Sequence, residues 1–251
     1  MNHPTLKATP HSRSRRLPGF TLVEILTVIA IITILMAAGV IGIGNINAGK
    51  GVTSAVATCE SLFEEARTIA VSKRCKARLM IHVGDKASDN YLRRVVVVRE
   101  QFDKDGKPID DTWVLASRGY VMPQGTFYSQ VYSYGKGGSG TVAKETSMTL
   151  LNKDIDPDSV TPPVAPRTLP DYDGDYYYYE FNGEGIYEDA GASFVVGSGR
   201  RAPNQEPKTT KASSRDFAGF VIWRNGRTSV FRSPNQISPE IKTLPESNVE
   251  F

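Results

Sequence analysis

Four carboxylates in "DYDGDYYYYE" carry the spacing closest to metal chemistry. Asp171, Asp173 and Asp175 alternate beside the turn-forming Gly174, and Glu180 could complete an oxygen cage for Ca²⁺. The spacing is half of an EF-hand loop. "DKDGKPIDD" is similar, but its Asp103 and Gly106 fit a hairpin turn. Calcium is the one ion these acids suggest, and no other cofactor is expected. "GKGGSG", Gly135 to Gly140, formally matches GxGxxG, yet the following "TVAKETSMTL" reads as strand where a dinucleotide site needs a helix. No GxSxG, HExxH or Walker A pattern occurs, so no enzymatic activity is expected. His3 and His11 lie near the N-terminus, and the remaining His82 reads as a structural residue on a strand. Cys59 and Cys75 lack zinc-like spacing.

Charge is unevenly distributed. Asp154 to Asp189 holds ten acids and one base, whereas Arg200 to Arg232 holds eight bases and two acids. Such blocks are ordinarily solvated faces. The alternative is a binding face at Arg200, Arg201, Arg224 and Arg227 for DNA or an anionic secreted substrate, with nucleic acid the less expected partner.

The elements that must position these residues begin with an apolar run. After Glu24 no charged residue appears until Lys50. About 20 helical residues cross a bilayer core, so this segment can span as a transmembrane helix. Lys7, Arg13, Arg15 and Arg16 precede it without an acid, which keeps the N-terminus cytoplasmic and puts the rest of the chain outside. A cleaved secretory signal would have a shorter apolar core and no acid at its entrance. A plain anchor fits the length but leaves Glu24 unexplained, because a carboxylate in hydrocarbon is costly.

Beyond the run, Val52, Val56, Cys59, Leu62 or Phe63, Ala66, and Ile69 or Ala70 recur at three- and four-residue steps, which predicts an amphipathic helix. Gly39, Gly42, Gly44, Gly49 and Gly51 weaken the junction, giving either a bend or close packing. After Cys75 the pattern turns to antiparallel strands: "CKARLMIHV", "YLRRVVVVREQF", "DTWVLASRG", "GTFYSQVYSYG", "YYYYEFNG", "ASFVVG" and "FAGFVIWRNGRTSVF". Two Pro- and charge-rich stretches, Asn152–Asp175 and Gly199–Asp216, read as long loops.

"GFTLVEILTVIAII", preceded by basic residues, resembles the cleavage and methylation motif of type IV prepilins and type II secretion pseudopilins. The resemblance implies that a prepilin peptidase and N-methyltransferase cuts between Gly19 and Phe20 and methylates the new amine, with Glu24 as the acidic assembly position. It also implies an α+β pilin-like fold, a long N-terminal helix packed on an antiparallel sheet or sandwich. The expected organisation is a leader at 1–19, an assembly helix at 20–50, an amphipathic helix at 51–74, a periplasmic β-rich domain at 75–232 and an extended tail at 233–251. Removing the leader takes four cations from 30, leaving 26 bases against 27 acids, so the mature chain is near neutral.

A staggered neighbour would let Glu24 of one subunit neutralise the Phe20 amine of another. The partners implied are other pilins or pseudopilins, their secretion or pilus machinery and the bacterial inner membrane. "SLFEEARTIAVSKRCKARLMI", "VMPQGTF" and "VIWRNGRTSVF" are similar to the H-type minor pseudopilin and FimT-like group, where a helix with an Ala-Arg pair leads into a β-domain ending in a Gly-Arg hairpin. If the helix runs unbroken to about Lys73, Cys75 starts a strand at the far end from Cys59, and both thiols should be free.

Overall fold

The computed structural model describes residues 21–103, 105–138, 140–154, 167–209, 216–231, 234–237 and 251, the side chains of 34–50 excepted. The expected leader, the Gly19–Phe20 junction, the centre of the first long loop and most of the expected tail lie outside the described residues. The chain divides into two compact units, Met1–Ile43 and Gly44–Phe251. The division falls within the glycine-rich junction.

Helix α1 is assigned over Leu22–Lys73. Its second half buries Val52, Ala55, Val56, Cys59, Leu62, Phe63, Ala66 and Ala70, the stripe that the three- and four-residue spacing requires. Arg74 then enters the left-handed region at φ 53°, and the Cys75 N–H bonds the Ala70 carbonyl at 3.3 Å. That is a Schellman ending built without glycine.

Ten strands follow among the described residues: β1 Ala77–His82, β2 Arg94–Phe102, β3 Pro108–Val121, β4 Thr126–Tyr128, β5 Ala143–Met148, β6 Leu150–Leu151, β7 Gly174–Phe181, β8 Ala192–Ser198, β9 Phe217–Ile222 and β10 Thr228–Val230. They form a six-stranded sheet, β5-β7-β1-β2-β3-β6, and a four-stranded sheet, β10-β9-β8-β4. All pairings are antiparallel except β3 with β6, where Trp113 faces Leu150. The expectation of purely antiparallel strands is corrected there, because Leu150 returns to bury beside Trp113.

The second half of α1 and both sheets share one core. Phe63 is the residue at which they meet. Its ring centroid lies 5.2 Å from Tyr179 on β7, 5.6 Å from Phe194 on β8 and 5.0 Å from Phe220 on β9. The outer face of the six-stranded sheet has its own cluster, Met80, Val96, Val98, Trp113, Met148, Leu150 and Tyr176. Central strand β1 is therefore buried along its whole length, and β7 divides its tyrosines between the two clusters.

Gly119 has φ 66° opposite the irregular register of Val95 and Val97; a Cβ there would lie 1.8 Å from the Val95 oxygen. Only glycine fits such a bulge.

One expectation fails locally. The strand expected over "GTFYSQVYSYG" stops at Tyr128, because the Ser129 hydroxyl accepts the Tyr132 N–H at 3.3 Å and turns the chain out of the ladder. The expected tail lies mostly outside the described residues, but its Phe251 is buried. That ring packs on Phe127 and Phe217, and its N–H bonds the Pro207 carbonyl at 3.2 Å. Cys59 and Cys75 are both free and buried.

Candidate functional site

The first turn of α1 begins at Thr21. Its hydroxyl donates to Glu24 Oε2 at 2.8 Å, its N–H donates to the same oxygen at 2.9 Å, and the Glu24 N–H returns to the Thr21 hydroxyl at 3.2 Å. This is a reciprocal capping box, and the T-x-x-E spacing that signals it stands in the sequence. Reading Glu24 through its charge alone missed this hydrogen-bonding task. The carboxylate stays exposed, with Oε1 outside the box.

Leu22, Val23, Ile25, Leu26, Val28, Ile29, Ile31 and Ile32 follow, each 43% to 76% exposed. Apart from the capping Glu24, these positions leave no polar face. The two hydroxyls among them turn inward to the backbone, Thr27 to the Val23 carbonyl at 2.8 Å and Thr33 to the Ala30 carbonyl at 2.9 Å. Such a surface requires an apolar cover. Among the described residues no helix is long and apolar enough to cross a membrane. The side chains needed to complete a span, 34–50, are not among them.

Residues 15–40 match the prokaryotic N-terminal methylation motif. The match supports a type IV pilin-like family and implies prepilin processing and assembly with other pilins. It includes Gly19, Phe20 and Glu24 and ends before the β-domain. Comparison with curated proteins and with solved structures gives no match.

The acids proposed for calcium are not gathered into one cage. Asp171 is exposed in a short 3-10 turn, and Asp173 Oδ1 accepts the Leu150 N–H at 3.4 Å. Asp175 accepts the Ser147 N–H and pairs with Lys144, both at 3.0 Å; these bonds hold its carboxyl below the usual aspartate range. Glu180 is taken by Arg78 at 2.6 Å. Arg78 is itself buried between the rings of Trp113 and Tyr178, 3.9 and 4.0 Å away. A guanidinium in that place needs a carboxylate, which removes Glu180 from any oxygen cage. Among the described residues no three His, Cys, Asp or Glu side chains are arranged to hold a metal ion.

The basic residues are likewise divided. Arg200 and Arg201 follow the end of β8, whereas Arg224 and Arg227 lie on the β9–β10 turn. Gly197 pairs with Phe217 and Ala192 with Ile222, so the two pairs sit at opposite ends of the β8–β9 ladder. The ladder between those ends runs five residue steps, roughly 17 Å of strand. This register spreads the four expected residues along the ladder and does not gather them at one point.

The GxGxxG segment is a loop containing a 3-10 turn at Lys136–Gly138, with no helix opening at its glycines. His82 closes β1, buried edge-on to Tyr176; burial pushes its pKa below the ordinary value.

Proposed function

We propose that this chain is a structural minor pseudopilin or pilin, a non-enzymatic subunit of a type II secretion or type IV pilus-like filament. The observation that carries the reading is the methylation motif at 15–40, whose helix is apolar on every side from Ile25 to Ile32 beyond the single acid Glu24. A helix of that kind is stable inside lipid or inside a bundle of its own copies, and a subunit extracted from the inner membrane into a filament passes between the two. On this reading residues 20–50 anchor the precursor, the N-terminus is cytoplasmic, the β-domain is periplasmic, and cleavage between Gly19 and Phe20 precedes assembly.

The H-type subgroup is supported by the meeting of its two quoted segments. Arg67, of the Ala-Arg pair, donates to the Gly185 carbonyl at 3.4 Å. Gly226 of the "RNGR" turn leaves room for the Arg67 chain, since a Cβ there would lie 2.6 Å from its Cδ.

Intact mass and N-terminal sequencing of protein from a prepilin-peptidase-positive host test the reading. The expected product begins at N-methylated Phe20, and replacing Gly19 with a bulky residue leaves the full precursor in the membrane. An uncut chain, or one beginning near Val40, would overturn it.

A further inference from the structure

A cleft of about 310 Å³ opens beside the end of β8, lined among others by Asp89, Arg93, Gly125, Gly199, Arg200 and Arg201. Three guanidinium-bearing residues meet one carboxylate there. Asp89 is 93% exposed and only 3.8 Å from the nearest Arg201 nitrogen, so water screens much of what it offers.

The other bonds of these arginines go to neutral oxygens. Arg93 Nη2 and Nε donate to the Met122 carbonyl at 2.6 and 3.1 Å, and Nη1 donates to the Asp89 carbonyl at 2.9 Å. Arg201 Nη2 donates to the Ser88 carbonyl at 2.8 Å. Carbonyls position a guanidinium without neutralising it. Burial, together with the charge of Arg201, pushes the pKa of Arg93 below the usual guanidinium value.

Arg201 supplies the sharper sign. Its side chain is 11% exposed, yet its Nη1 is buried with no hydrogen-bond partner. A buried charged donor left unpaired costs on the order of 1–3 kcal/mol or more, so natural structures rarely retain one without use. Arg200 is exposed at the mouth, held by paired backbone bonds with Lys208 at 2.8 Å each; among the described residues its guanidinium has no partner.

Gly125 and Gly199 also line the cleft. The Gly199 N–H bonds the Gly125 carbonyl at 2.9 Å, and a Cβ on Gly199 would meet the Phe251 ring at 2.6 Å.

We propose that this cleft binds a single oxyanionic group, a carboxylate or a phosphate, gripped by Arg200 and Arg201 while Arg93 holds the wall. The paired N–H donors of a guanidinium match two oxygens of such a group, and the surplus positive charge supplies the attraction. The site belongs to the β-domain alone and stands whether or not the filament reading holds.

The test uses the full chain in dodecyl maltoside micelles, titrated calorimetrically with inorganic phosphate and separately with succinate at fixed ionic strength. Saturable binding of either is expected, weakened about tenfold or more by Arg200→Glu. That exposed change should leave the melting temperature without anion unaltered. Arg201→Lys, which keeps the charge but loses the fork, should also weaken binding. Phosphate binding alone assigns a phosphate group and succinate binding alone a carboxylate; binding of both means that oxyanion charge suffices. No saturable binding of either at tens of millimolar, or equal affinity in native protein and both variants, overturns the proposal.

Discussion

The Thr21 hydroxyl and the Glu24 carboxylate lie 2.8 Å apart, so the one acid of the apolar segment already has a partner within its own helix. Capping and assembly can therefore be separated by substitution. Thr21→Ala should cost about 0.5–2 kcal/mol of local helix stability yet leave filament incorporation intact. Glu24→Gln retains a capping side chain but loses the charge; it should be cut normally and co-purify poorly with the filament. Normal incorporation of Glu24→Gln would assign this residue to the cap alone.

Phe63→Ala removes the ring at which the helix and both sheets meet. A loss of about 3–5 kcal/mol is expected from urea unfolding of the full chain in micelles. A loss below about 1 kcal/mol would mean that the helix is not a structural part of this core.

Acid should weaken the fold through His82. Its folded pKa lies below the ordinary 6.5 because burial, and then the charge of Arg94, disfavour the protonated ring. The unfolded chain thus takes up the proton first. Stability falls as pH drops from 6.5 to the lowered folded value and gains no further loss from this group beneath it. Asp154 and Asp175, whose pKa values lie below 3.8, act in a more acidic window. Melting temperatures across pH, compared with those of His82→Gln, should show the upper step vanish in the variant.

Arg74→Gly should stabilise the domain by about 1 kcal/mol, since φ 53° suits glycine better than a side chain with a Cβ. Gly119→Ala should do the reverse by more than about 2 kcal/mol, because the Val95 carbonyl occupies the space. Chemical denaturation of both variants checks the signs, and a stabilising Gly119→Ala would refute the requirement for glycine at this bulge.

What was legible in the chain was mostly local. The stripe from Val52 to Ala70 declares its face through period alone, the β-branched run Val95–Val98 declares a strand by residue type, and "TLVE" spells its cap within four residues. What escaped depends on partners far apart in sequence. Nothing near Glu180 shows that Arg78, 102 residues earlier, will claim it across the sheet. Arg201 and Arg224 look like neighbours in a basic block until the β8–β9 register sends them to opposite ends. Arg93 lies more than a hundred residues from Arg201, so the cleft existed only once β2 and β8 had been placed. Phe251 follows the same rule, since a terminal aromatic gives no local sign of the pocket that receives it.

The two cysteines also settle a practical matter. Burial raises the pKa of both thiols, and with surface exposures of 0% and 2% neither meets solvent while the domain is folded. Maleimide reagents should therefore find the native protein blank. A cysteine introduced at an exposed position, such as Val131 or Trp223, becomes the sole reactive handle without deletion of the native pair. Neighbour-mapping by crosslinking in intact cells can then start from the unaltered sequence.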